Sequence, residues 1–364
     1  MNRRALLGSG AACLLAAPAL AQQDSLQTRL EELRASAGIP ALGGAIVTAE
    51  GLAWSGVTGV RRRDDEDAVS PGERWHLGSN TKVMTAALYA RLVEQGRAEW
   101  GASLADLFPQ LSPDPAWAAV TVEQLMGHRA GILDSAVMPA WMLGAWASSD
   151  VRETRRQLAQ TVLSAPPAGA LDAYSYANAN YIILGAAIEQ VTGLSWEDVI
   201  QAELFRPLGM DPVGFGAPQG ENAWGHQGPA MTPKAPTVMG SDNPPGLGPA
   251  GTVHASLEAY ARFIRLFLTD GGGVLSRDSI TRLSTPVEGP GQSYALGWGV
   301  LTGPPWAGGG PVLTHDGSNT LWLARAVVVP ARRAAAICVA NAADPARPAI
   351  DGLTRALIER FPAA

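Results

Sequence analysis

Ser79 and Lys82 stand three residues apart in a chain that otherwise avoids lysine. Of its 27 basic residues 25 are arginine, and the only other lysine is Lys234. Arginine does not release its proton inside a protein, whereas a desolvated lysine does. Lys82 falls among Val83, Met84, Ala86 and Leu88 in a segment of helical character over residues 80–94. Desolvation there would bring its amine into the range of a general base. Positions i and i+3 share a helix face, so Ser79 Oγ and Lys82 Nζ can meet. Gly78-Ser79 also suits a helix start, where free N–H groups and the positive end of the dipole can receive an oxyanion. The chemistry is that of a serine nucleophile activated by a lysine. The same spacing fits an ordinary capping serine followed by a surface lysine, and the tetrad alone does not separate the two.

Other chemistries find less support. The five histidines (His76, His128, His226, His254 and His315) show no close metal-ligand spacing, so no metal is expected, and nothing calls for another cofactor. A Gly-x-Ser-x-Gly elbow is absent, which disfavours an α/β-hydrolase. Cys338 lies in the apolar run 334–340 and is expected to be a buried structural thiol; Cys13 is the only other cysteine.

The elements that must position Ser79 and Lys82 are legible around them. Leu26, Leu30 and Leu33 predict an amphipathic helix over 24–37. Apolar runs at 41–48 and 52–60 predict an antiparallel hairpin, and runs at 321–329 and 334–340, joined through Pro330-Ala331-Arg332-Arg333, predict a second. A closing helix is expected over 348–361, with Ile350, Leu353, Leu357 and Ile358 on one face. Between the termini the chain is more helical, with a long Gly/Pro/Asn-rich loop over 214–251. The expected fold class is α+β: an antiparallel sheet flanked by N- and C-terminal helices, with an inserted, mainly helical lobe. The catalytic domain is taken as one bilobal unit over 22–364, with a sheet lobe at about 22–98 and 236–364 and a helical lobe at about 99–235. A ligand site is expected between the lobes.

Further motifs follow in order: Leu125-Met126-Gly127-His128-Arg129-Ala130-Gly131-Ile132, Tyr176-Ala177-Asn178, Pro207-Leu208-Gly209-Met210, Tyr294-Ala295-Leu296-Gly297-Trp298 and His315-Asp316-Gly317. With Ser79-Asn80-Thr81-Lys82, the series resembles the serine β-lactamase and penicillin-binding superfamily. The resembling branch holds class C β-lactamases, D-alanyl-D-alanine peptidases and related esterases. The resemblance covers most of the chain. It implies that Ser79 attacks an acyl carbonyl and that Lys82 and Tyr176 share the proton handling, with Tyr176 lowered in pKa by the nearby ammonium. It further implies that Asn178 bridges Lys82 and the substrate amide, and that His315 closes the proton network beside Tyr176. The oxyanion hole would be the N–H groups of Ser79 and Ser318, with Gly317 and Asp316 also lining the substrate site. His128 is expected to hold structure through hydrogen bonds.

Asp316 departs from the family pattern, which has threonine between Lys or His and Gly. An ionised side chain there would repel a substrate carboxylate, which favours a simple ester, an amide or an amine-bearing peptide. Alternatively Asp316 turns away, onto Arg325 or a backbone amide. The leading function is therefore an acyl-enzyme hydrolase of a small ester or amide. A true β-lactamase or D-alanyl-D-alanine carboxypeptidase is the rival enzyme, and a penicillin-binding sensor or scaffold that acylates and stalls is the rival of another class.

Composition places the protein in a compartment. Met1-Asn2-Arg3-Arg4, the apolar stretch 5–20 and Ala19-Leu20-Ala21 have the form of an export signal over 1–21, so a periplasmic or secreted protein is expected. Arg3-Arg4 fits the twin-arginine route as well as an ordinary signal. No later stretch reads as a membrane span. The formal charge of −6, without a basic cluster, makes nucleic acid a poor partner; a small molecule is the expected one.

Overall fold

The computed structural model describes residues 16–362, with side chains from Ser25 onward. The expected export signal over 1–21 thus lies for the most part outside the described residues. Among those described, no helix is long and apolar enough to cross a membrane.

Among the described residues, eleven strands form three sheets. In chain order they are β1 (Ala41–Thr48), β2 (Leu52–Gly59), β3 (Trp75–His76), β4 (Val213–Phe215), β5 (Gly225–Gln227), β6 (Thr232–Lys234), β7 (Val253–Ala255), β8 (Gly299–Leu301), β9 (Val312–Ser318), β10 (Leu323–Val329) and β11 (Ala334–Ala340). The main sheet runs β2-β1-β11-β10-β9-β8, with every neighbour antiparallel. β3, β7 and β4 make a smaller sheet, and β5 pairs with β6. Five helices position the site: α1 (Ala16–Ala37), α2 (Thr81–Glu94), α3 (Asp134–Ala147), α4 (Asn178–Thr192) and α5 (Arg347–Ile358).

Strand periodicity explains the layers. Along β11, Ala335, Ile337 and Val339 face the core shared with α2 and α4, whereas Ala336, Cys338 and Ala340 face the core under α1 and α5. A strand buried on both faces reads as the unbroken apolar run seen in the sequence. The mixed α/β fold and its terminal helices match the expectation. α1 begins earlier than residue 24, and the segment expected to be helical carries the short strands β4, β5 and β6. Cys338 is buried against Thr354, and burial pushes its thiol up to about 12, which suits a structural role. Trp298 and Trp322 are fully buried.

β10 alternates in the same way. Ala324, Ala326 and Val328 face α2, while Leu323, Val327 and Val329 face the terminal helices. Its register with β9 sets Ala324 opposite Gly317, Arg325 opposite Asp316 and Ala326 opposite His315. His315 and Gly317 therefore face α2, and Asp316 faces the other way.

Candidate active site

The serine sits on a turn between a strand and a buried helix. Leu77 N donates to Val253 O at 2.8 Å, tying the end of β3 to β7. The chain then passes through Gly78, with φ +51°, and a single 3₁₀ turn over Gly78–Asn80 into α2. A Cβ on Gly78 would sit 2.3 Å from Ser318 N, and one on Gly317 would sit 2.0 Å from Leu77 O and 2.8 Å from Ser79 N. Glycine at both places lets β9 and the serine turn touch backbone to backbone. That contact gathers the amides of Ser79 and Ser318 at one junction. Asn80 braces it, donating to Leu77 O (3.0 Å) and Ala324 O (3.3 Å) while accepting from Tyr260 OH (2.9 Å).

Lys82 is fully buried on the first turn of α2, which excludes the surface-lysine alternative. Its Nζ lies 3.0 Å from Ser79 Oγ, 2.8 Å from Asn178 Oδ1 and 2.7 Å from Ala250 O. Two of these partners, an amide oxygen and a backbone carbonyl, can only accept. A neutral amine that spends its two hydrogens on them turns its lone pair to the serine hydroxyl. Burial supplies that neutral form by lowering Lys82 from 10.5 to about 7, with the Asp134 carboxylate pulling weakly the other way.

Asn178 is held in this orientation by Asp134 on α3. The Asp134 carboxylate accepts from Asn178 N (2.8 Å), Ala179 N (3.0 Å) and Asn178 Nδ2 (3.2 Å). It thereby caps α4, which has no cap of its own, and leaves Asn178 Oδ1 for Lys82.

Tyr176 corrects one expectation. Its phenol is raised, not lowered, because burial of that end outweighs the neighbouring Ser79 hydroxyl. Lys82 Nζ lies over the face of the ring, 5.0 Å from its centroid, rather than beside the phenol oxygen. The residue is 39% exposed and lines part of a cleft.

His315 corrects a second. It lies near Tyr176, with ring centroids 6.3 Å apart, but its Nε2 is 2.9 Å from Tyr294 OH and its Nδ1 is 2.7 Å from Asp316 O. A carbonyl only accepts, so Nδ1 carries the hydrogen and Nε2 accepts from Tyr294. Burial, and secondarily Lys82, lower its pKa to about 4, so the imidazole is neutral with both nitrogens occupied.

Asp316 corrects the third. It forms a two-pronged pair with Arg325, Nε to Oδ1 at 2.6 Å and Nη2 to Oδ2 at 2.7 Å, on the sheet face away from α2. Its charge is matched by Arg325 and turned from the serine, so the expected repulsion of a carboxylate held at Ser79 is not what this geometry provides.

His128 holds structure as expected: Nδ1 accepts from Ala177 N (3.2 Å), and the ring packs 4.4 Å from that of Tyr176. Arg129 donates to the backbone carbonyls of Asp172, Pro290 and Gln292, so it too is structural. A cavity of about 490 Å³ opens beside Tyr176 and His315 and runs along the sheet edge past Leu301 and Trp306. Ser79 and Lys82 do not line it, whereas Asp316 and Arg325 do. Among the described residues, no cluster of His, Cys, Asp or Glu could hold a metal ion.

Sequence inspection missed Asp134, Tyr294 and the Ala250 carbonyl. Asp134 had a signal, being the only acid between Glu123 and Asp150 in a strongly apolar stretch. Tyr294 was inside a recognised motif without a role, and a backbone carbonyl leaves no trace in residue type.

The Beta-lactamase family model matches residues 26–360. The chain belongs to the Beta-lactamase family. This Beta-lactamase family member is a serine hydrolase. It is 28% identical over 333 residues to penicillin-binding protein 4 of Amycolatopsis lactamdurans, covering 86% of this chain and 84% of that protein. It is 26% identical over 298 residues to the unguisins hydrolase ungD' of Aspergillus campestris, covering 75% of this chain but only 53% of that longer protein. The D-alanine carboxypeptidase AmpC of Burkholderia cenocepacia superposes with a TM-score of 0.75 at 17% identity, over 94% of this chain and all of that one (100%). The octameric penicillin-binding protein homologue of Pyrococcus abyssi gives 0.74 at 21% identity, over 93% and 78%.

Proposed function

We propose that the protein hydrolyses a small ester or amide through an acyl-enzyme on Ser79. The observation that carries this reading is the buried Lys82 amine, whose lone pair two fixed acceptors direct at Ser79 Oγ. Neutral Lys82 takes the hydroxyl proton as Oγ bonds to the acyl carbon. The N–H groups of Ser79 and Ser318 receive the oxyanion. When the intermediate collapses, the leaving group needs a proton. Tyr176, protonated at neutral pH and beside Ser79, donates it; because Lys82 lies over the ring rather than at the phenol oxygen, a water in the cleft carries the Lys82 proton back to the phenolate. Water then repeats the sequence: Lys82 takes its proton, the hydroxyl adds to the acyl carbon, and Ser79 leaves with the proton returned. Environments that push two pKa values apart, down for Lys82 and up for Tyr176, divide the roles of base and acid.

His315 carries the substrate choice. A cation at this position would hold a substrate carboxylate; here stands a neutral imidazole with both nitrogens taken. That favours uncharged esters and amides over penicillins and D-alanyl-D-alanine peptides. The rival reading, a β-lactamase or D-alanine carboxypeptidase, draws on what the similar proteins are called. Export to the periplasm or medium rests on the form of residues 1–21.

The test is a panel of a short-chain nitrophenyl ester, a cephalosporin, a penicillin and D-amino-acid amides, with adducts followed by mass spectrometry. Turnover of the ester or of an uncharged amide, with poor β-lactam hydrolysis, is expected. Efficient cephalosporin hydrolysis with a poor ester rate contradicts the proposal, and an adduct that persists with every substrate marks an acylating sensor.

A further inference from the structure

His76 lies immediately behind the serine turn, fully buried, at the end of β3. Its Nδ1 accepts from Gly78 N at 3.1 Å. An amide can only donate, so Nδ1 is unprotonated and Nε2 carries the hydrogen. Nε2 in turn lies 2.8 Å from Asp242 Oδ1, off the ideal N–H axis, on a carboxylate that is itself buried. The same Oδ1 accepts from Asn319 Nδ2 at 2.9 Å. Asn319 belongs to the turn that follows Ser318, and its Oδ1 accepts from Leu321 N and Trp322 N, both at 3.2 Å. The imidazole also stacks on the Trp322 ring at 5.6 Å. One carboxylate oxygen therefore joins the turn that carries Ser79 to the turn that follows Ser318.

We infer that His76 and Asp242 are positioning residues that hold the Ser79 and Ser318 amides at the separation an oxyanion requires. The inference rests on Ser79 being the nucleophile. The bond from the His76 ring to the amide two residues on has the geometry of an Asx turn, in which an asparagine oxygen accepts the same N–H. Without an acceptor the buried Gly78 N–H is left unpaired, and the turn it belongs to can shift against β9. Neither side chain touches substrate, so the loss falls on the rate of bond formation and leaves binding intact.

The acceptor role and a packing role predict opposite orders for two substitutions. His76→Asn restores an acceptor for Gly78 N but loses the stacking on Trp322; His76→Phe keeps an aromatic ring there but removes the acceptor. The measurements are the second-order rate of fluorophosphonate labelling at Ser79, kcat and KM for a nitrophenyl ester, and Tm for each variant. His76→Phe and Asp242→Ala are expected to slow labelling and kcat by about ten- to a hundredfold, the scale of a misplaced catalytic group, with KM within about threefold. His76→Asn is expected to label within about fivefold of wild type despite the lower Tm. If His76→Phe labels as fast as wild type, or His76→Asn is the slower of the two, the imidazole acts by packing and the inference is wrong. Should His76→Phe fail to fold, Asp242→Asn, which keeps an acceptor oxygen, must label faster than Asp242→Ala, and equal rates overturn the inference. Absence of labelling at Ser79 in the wild type overturns the nucleophile assignment instead.

Discussion

The pH dependence of acylation reports on Lys82. Burial moves its amine from 10.5 to about 7. That is about 3.5 pKa units, which at about 1.4 kcal/mol per unit places a penalty of ~5 kcal/mol on the charged form. At pH 8 roughly nine molecules in ten then hold a neutral amine, whereas an unshifted lysine would be neutral in fewer than about one in 200. Single-turnover acylation by a nitrophenyl ester should climb about tenfold per pH unit below 7 and level off above it. Lys82→Arg, which cannot release the proton, should lose about 10³-fold at every pH and show no inflection near 7. The same shift has a stability sign. Between pH 7 and 10.5 the unfolded chain binds the Lys82 proton and the folded chain does not, so stability should rise with pH across that window. Lys82→Met should remove this slope, as read by urea denaturation at a series of pH values. A rate still rising tenfold per unit at pH 9, or a Lys82→Arg enzyme with a tenth of wild-type activity, would refute the reasoning.

Three further outcomes follow from the site. Asp134→Ala removes the cap of α4 and frees Asn178; it should cost about 1–2 kcal/mol in chemical denaturation and slow acylation about tenfold. Gly317→Ala drives a methyl against Leu77 O and Ser79 N, so activity should be lost even where circular dichroism still shows a folded protein. Asp316→Asn acts on the far face of β9 and should change kcat/KM for ester and cephalosporin less than about threefold, because the Arg325 pair it weakens is partly solvated.

The residues that spacing alone can join were legible in the sequence. Ser79 and Lys82 share a helix face, and a lysine retained in an arginine-rich chain marks its own burial. The two hairpins of the main sheet were visible because turn residues separate apolar runs of strand length. The remainder depended on partners brought from afar. Asp316 points from the serine because β9 and β10 pair with Asp316 opposite Arg325, a register no local pattern states. His315 finds Tyr294 rather than Tyr176 because β8 and the segment before it close the sheet edge. The Tyr176 phenol moves up because burial exceeds the effect of the Ser79 hydroxyl, and the Lys82 amine lies over the ring rather than beside the phenol oxygen. The β4–β6 strands are three residues each, too short to impose a period on the loop that contains them.

The central claim is a covalent acyl-serine at position 79, and rapid-quench mass spectrometry with peptide mapping addresses it directly. During turnover of a nitrophenyl ester, a transient acyl mass is expected on the peptide that contains Ser79, gone when substrate is exhausted and absent from Ser79→Ala. An acyl group on any other residue, or wild-type turnover by Ser79→Ala, would contradict it.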